Sequence, residues 1–125
     1  MPIESEAVMS EIDRRERRFA CRLPVTLHRG KGSLSLETED VGFRGVYVVC
    51  DDPPAVRNLV RLTFALPGVG APVEVHGMVV HVTTEDAARP RGFGLQFWGL
   101  DARARSAWDH FVHGLLRDSG PARRG

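Results

Sequence analysis

Two short stretches gather the residue types that could do chemistry. Arg17-Arg18-Phe19-Ala20-Cys21-Arg22 brings three guanidinium groups together, and eighteen residues beyond Arg22 comes Asp40-Val41-Gly42-Phe43-Arg44-Gly45. Arg is planar, permanently charged and forked, so it grips phosphate oxygens, or the O6/N7 edge of guanine, with paired hydrogen bonds. The Asp40 carboxylate can accept from the N1–H and N2–H donors on the opposite edge of the same base. Together they make two jaws for a guanine nucleotide. The competing reading of Arg14-Arg15-Glu16-Arg17-Arg18 is a solvated helix face, the ordinary use of such a charge run.

The elements that would position these groups follow from periodicity. From Pro24 the period is two: Val25 and Leu27 alternate with Thr26 and His28, and Gly30-Lys31-Gly32 provides a turn. Leu34 and Leu36 resume the alternation, so residues 24–38 predict a hairpin whose return strand delivers Asp40 to a Gly-punctuated turn. Gly42 and Gly45 permit backbone geometries that a Cβ would hinder, and Gly45 admits a ligand or a neighbouring strand. Val46-Tyr47-Val48-Val49-Cys50 is apolar throughout and predicts a strand covered on both faces, ended by Asp51-Asp52-Pro53-Pro54. Val60, Leu62, Phe64 and Leu66 alternate as a half-buried strand. Val73 and Val75 open another, in which the apolar phase shifts after Gly77 to Met78, Val80 and Val82, as at a β-bulge. Ala87 to Arg91 reads as a polar connection. Phe93, Leu95 and Phe97 form the inward row of the last strand. Asp101 then caps a helix with Ala104, Trp108, Phe111, Val112 and Leu115 on one face.

Taken with their order and spacing, the two motifs resemble the PilZ family of bacterial cyclic di-GMP receptors. Arg18-Phe19-Ala20-Cys21-Arg22 is similar to its RxxxR motif, with Arg17 before it and Leu23-Pro24-Val25 after it. Asp40 and Gly45 are similar to the ends of its [DN]xSxxG turn, and Gly42 departs from it where the family usually has Ser. The likeness extends through Gly92-Phe93-Gly94-Leu95-Gln96-Phe97 and the helix, so it covers roughly Arg17 to Leu116. It implies an all-β fold, a six-stranded antiparallel β-barrel packed by a C-terminal α-helix. It also implies that Arg17, Arg18 and Arg22 hold phosphates and guanine edges, that Asp40 bonds a guanine and that Gly45 keeps the turn open. Gly42 lies in the same ligand-binding turn. In the family an extra Arg before RxxxR accompanies a stacked cyclic di-GMP dimer, so Arg17 suggests two ligands per chain. Binding would order a mobile Arg arm and so signal to an effector protein, as yet unknown. The alternative is a degenerate scaffold that does not bind the nucleotide and serves as an interaction module in motility or polarity.

The whole chain is compatible with this. At 125 residues it is one domain, with 42% apolar and 26% charged residues, which argues against global disorder. Residues 1–13 predict a short helix or a mobile lead-in, 14–117 the domain and 118–125 a disordered tail. Net charge is only +1, yet seven Arg/Lys and one acid fall between Arg14 and Lys31, and five acids with only Arg44 between Ser33 and Val56. A local basic site suits a small anion better than a long polyanion, so no nucleic acid is expected. The nucleic-acid rival would need exposed aromatic platforms, for which only Phe19 and Phe43 are placed. Cys21 and Cys50 make no disulfide framework or zinc spacing, and His110 and His113 lack further ligands. With no catalytic constellation, no cofactor, no signal segment and no long apolar run, the chain reads as a non-enzymatic cytoplasmic protein without membrane insertion.

Overall fold

A computed structural model describes residues 17–84 and 89–118. The expected lead-in over residues 1–13 lies outside them, as does the expected tail after Asp118, which still belongs to the helix. The elements are β1 (Arg18–Ala20), β2 (Pro24–Arg29), β3 (Gly32–Gly42), β4 (Gly45–Val49), β5 (Leu59–Phe64), β6 (Val73–Thr83), β7 (Gly92–Gly99) and α1 (Ala102–Asp118).

Six strands close a ring in the order β3, β2, β5, β6, β7, β4 and back to β3, every pair antiparallel. This is the six-stranded antiparallel barrel with one C-terminal helix that was expected. Closure is possible because β3 is 11 residues long: its first half pairs with β2 and its second half with β4. A ring removes the open edges that a flat sheet would expose. Inside it, Val41, Val46, Leu95 and Val79 form one inward row across β3, β4, β7 and β6, each no more than 2% exposed.

The stretch expected to be a mobile arm supplies a strand to the sheet. Its residues 18–20 form β1, paired to the end of β3 as Arg18↔Gly42, Phe19↔Val41 and Ala20↔Asp40. Phe19 is the reason: it is buried in the core cluster opposite Val41, while its neighbours Arg18 and Ala20 stay exposed. This pairing also keeps β3 extended as far as Gly42. Asp40 therefore lies within a strand rather than in the turn, which shrinks to Phe43-Arg44.

A register irregularity does fall at Gly77, as expected, but the inward row of β6 changes phase only later. Val79 continues the inward row of Val73, Val75 and Gly77, and Val80 is the extra residue, exposed between Val79↔Leu95 and His81↔Gly94. The irregularity at His76/Gly77 leaves Trp98 of β7 unpaired and outward. Bulges of this kind bend strands and help a sheet to close.

The helix seals one end of the barrel. Its first turn is capped by Asp101, whose Oδ1 accepts from the Ala104 backbone N–H at 2.8 Å. Ala104, Trp108 and Val112 are its buried residues, with Phe111 and Leu115 partly buried beside them. The Trp108 ring packs against Phe64 and Phe97 at 4.9 and 5.0 Å between centroids. Its indole Nε1–H donates to the Gly42 carbonyl at 2.9 Å, which ties the helix to the end of β3.

Candidate functional site

The outer face of the barrel carries a row complementary to the inward one. Asp40, Tyr47, Gly94 and His81 are register partners across β3, β4, β7 and β6. Gly94 leaves the row open at its centre, so the Tyr47 and His81 rings face one another across it at 6.4 Å. Over this row lies a cleft of about 450 Å³ whose lining includes Arg18, Arg44, Tyr47, His81, Arg89 and Gln96.

Successive strand residues normally point to opposite faces. In β3 the register shifts between Thr38 and Asp40, leaving Glu39 as a bulged residue. Thr38 turns inward, 1% exposed, and its hydroxyl donates to the Cys21 carbonyl at 2.7 Å while accepting from the Leu23 N–H at 2.9 Å. Glu39 and Asp40 can then both face outward, which places two adjacent carboxylates on one side of the sheet. A bulge that re-aims a side chain beside a site is a recurrent device.

Those carboxylates hold two guanidinium groups. The Arg18 Nε–H donates to Asp40 Oδ1 at 2.9 Å, and a second Arg18 N–H reaches the same oxygen at 2.5 Å. Arg89 donates to Glu39 Oε1 at 3.0 Å and to Asp40 Oδ2 at 2.5 Å. Its guanidinium carbon lies 3.7 Å from the centre of the Tyr47 ring, a close cation–π contact. Beneath it Tyr47 is 1% exposed and donates its hydroxyl to the Pro90 carbonyl at 2.7 Å. Burial works against the Arg89 charge. The Glu39 hydrogen bond and the charges of Asp40 and Glu39 outweigh it, so its pKa stands above the usual arginine value.

The residues singled out in the sequence divide into two sets. Arg18 and Gly45 line the cleft, and Asp40 is joined to it through its bonds to Arg18 and Arg89. Gly45 is required by the fold as well, because a Cβ there would collide with the Leu95 carbonyl of β7. Gly42 sits under the start of β1, where a Cβ would lie 2.8 Å from the Arg17 carbonyl oxygen. Arg17 is exposed and its guanidinium lies over the Phe19 ring at 5.6 Å. Arg22 stands apart: its side chain is 81% exposed and only 3.9 Å from Glu37 at its nearest carboxylate oxygen.

The family model for the PilZ domain matches residues 12–114. The chain belongs to the PilZ family. PilZ domains are non-catalytic receptor or adaptor modules, and commonly receptors for cyclic di-GMP. Among solved structures, the inhibitor of motility MotI/DgrA of Bacillus subtilis is similar at a TM-score of 0.68 and 17% identity, over 82% of this chain and 51% of that one. The chain thus spans about half the length of that protein. The PilZ domain of CeSA from a cellulose-synthesizing bacterium is similar at a TM-score of 0.57 and 16% identity, over 80% of this chain and 98% of that one. At these identities the likeness concerns the fold. No curated protein matches the chain.

Three residues of this cluster escaped the sequence reading. Glu39 was hidden because alternation placed it opposite Asp40, and only the bulge reverses that. Tyr47 passed for core inside an apolar strand. Arg89 lay in a stretch read as a polar connection, and nothing local marks it. Phe19 and Phe43 are not the open stacking platforms a nucleic-acid surface would need: Phe19 is buried, and Phe43 packs edge-on against His113 at 4.9 Å. Among the described residues no cluster of His, Cys, Asp or Glu is arranged to hold a metal, and no helix is long and apolar enough to cross a membrane.

Proposed function

We propose that this PilZ domain is a cytoplasmic receptor for cyclic di-GMP that passes the state of the ligand to a partner protein. The observation that carries the reading is the Arg18–Asp40 pair, brought together from 22 positions apart at the rim of a cleft floored by Tyr47. A guanine needs both partners. A guanidinium serves its O6/N7 edge or the adjoining phosphate, and a carboxylate serves its N1–H and N2–H edge.

Arg17 and Arg22 supply the phosphate contacts in this reading. Both are exposed and each has only a loose contact in the free protein, so they can turn toward an anion without breaking a buried pair. Arg17 places a second, stacked nucleotide within reach. Because β1 is already docked on β3, ligand binding acts on the side chains of the Arg stretch. The signal passes through a changed surface around β1 rather than through folding of the whole arm. The partner belongs to a motility apparatus, a choice supported by the inhibitor of motility with the same fold.

The second reading, a ligand-independent interaction module, draws on the fact that both Asp40 oxygens already have arginine partners. Equilibrium binding of cyclic di-GMP to the protein and to its Asp40→Ala and Arg18→Ala variants decides between them. The receptor reading expects each variant to lose most of the affinity. Equal affinity in all three would remove Arg18 and Asp40 from the site.

A further inference from the structure

The position of Arg89 carries more than a salt bridge. Its guanidinium is a planar fork of N–H donors, stacked on a tyrosine face and directed at two adjacent carboxylates. The N1–H/N2–H edge of guanine is also planar, also a row of donors, and also stacks on aromatic rings. We propose that Tyr47, Glu39 and Asp40 form a guanine-base subsite, and that Arg89 occupies it as an intramolecular surrogate until the nucleotide displaces it. The inference rests on the receptor reading and extends it by naming Glu39 and Tyr47 as base contacts and Arg89 as the group that sets the threshold.

The geometry supports displacement rather than permanent closure. Arg89 is anchored by its side chain, one-third exposed, at the border of the cleft, and the carboxylates it holds are at most 38% exposed. When it swings away, it uncovers the Tyr47 ring and the two carboxylates it holds at the edge of the cleft, and the freed cation remains close enough to meet a ligand phosphate. Adenine does not fit the same scheme: it presents an acceptor at N1 where guanine presents a donor, and so faces a carboxylate with the wrong polarity. A site closed for most of the time lowers apparent affinity by the fraction that is open. Removing the latch should therefore tighten binding, even though it also removes a positive charge from the neighbourhood of an anionic ligand.

Tyr47 is the only tyrosine in the chain, so isotope-labelled tyrosine gives a single ring signal in solution NMR. The experiment compares wild type, Arg89→Ala and Arg89→Lys by that signal and by titration with cyclic di-GMP, with circular dichroism to verify the fold. The expected result has two parts. Arg89→Ala shifts the Tyr47 ring signal without ligand and binds cyclic di-GMP roughly tenfold tighter than wild type, and Arg89→Lys, which keeps the charge but loses the fork, gains less. Equal or weaker binding by Arg89→Ala, or an unmoved Tyr47 signal, would overturn the latch while wild-type binding left the receptor reading intact. Absence of binding in all three folded proteins would overturn both.

Discussion

The Arg17 carbonyl oxygen lies where a Cβ on residue 42 would be 2.8 Å away, so glycine at 42 is what lets β1 lie flat against β3. PilZ sequences usually carry Ser at this point of the turn. A Ser here would meet backbone, and the strand must move to make room. Gly42→Ser should therefore loosen β1 and destabilise the fold by about 1–2 kcal/mol, as overpacking does. Amide exchange should rise at Phe19 and Ala20 while the inner strands stay protected. Unchanged protection in β1 would contradict the packing described here. A hydroxyl at 42 thus does not simply add a ligand contact, as the turn motif alone suggests.

Trp108 joins the helix to the site strand through its bond to the Gly42 carbonyl. Trp108→Phe keeps part of the packing and loses that bond, and should lower stability by about 1–2 kcal/mol. Trp108→Ala, at a fully buried position among Phe64, Phe97 and Phe111, should lower it by about 3–5 kcal/mol. Denaturant melts of the two variants give the comparison, and similar losses in both would mean that the ring's bulk is not what matters.

Thr38 is the hinge of the bulge. Thr38→Val preserves shape and strands the Leu23 N–H and the Cys21 carbonyl that its hydroxyl serves. The expected loss is about 1–3 kcal/mol, together with weaker ligand binding because Glu39 and Asp40 are no longer held on one face. A stability loss with unaltered binding would separate the bulge from the site.

Burial pushes the Cys21 thiol above the usual thiol range. Its reactive thiolate is therefore scarcer at neutral pH than in a free cysteine. Alkylation of Cys21 in the folded protein should be slow at neutral pH and should accelerate with rising pH later than a small thiol does. Cys50, 3% exposed, should react only on unfolding. A Cys21 rate equal to that of a free thiol near neutral pH would contradict its burial.

Periodicity carried the barrel well because most strands obey it strictly. Val25 and Leu27, Leu62 and Phe64, and Phe93, Leu95 and Phe97 are buried as alternation requires, and Trp108 falls on the helix face that 3.6-residue spacing selects. The misreadings gather where alternation breaks. The bulge at Val80 cannot be told from a slip at Gly77, since both preserve a plausible apolar row. The bulge at Glu39 has no side-chain signature at all, being set by Thr38 binding a segment some 15 residues away in sequence. Arg89 reaches Asp40 across 49 positions, a distance over which only the closed barrel supplies the connection. The Arg18–Asp40 half of the site was legible through its motifs. The Glu39, Tyr47 and Arg89 half depended on register.

The central claim is that this cleft recognises cyclic di-GMP, and isothermal titration of the wild-type protein tests it most directly, with GTP and cyclic di-AMP as controls. Saturable binding of micromolar affinity or tighter, selective for cyclic di-GMP, is the predicted result, and two nucleotides per chain would bear out the role given to Arg17. No heat of binding and no competition at high ligand concentration would contradict the receptor reading and leave a PilZ barrel that acts through protein contacts alone.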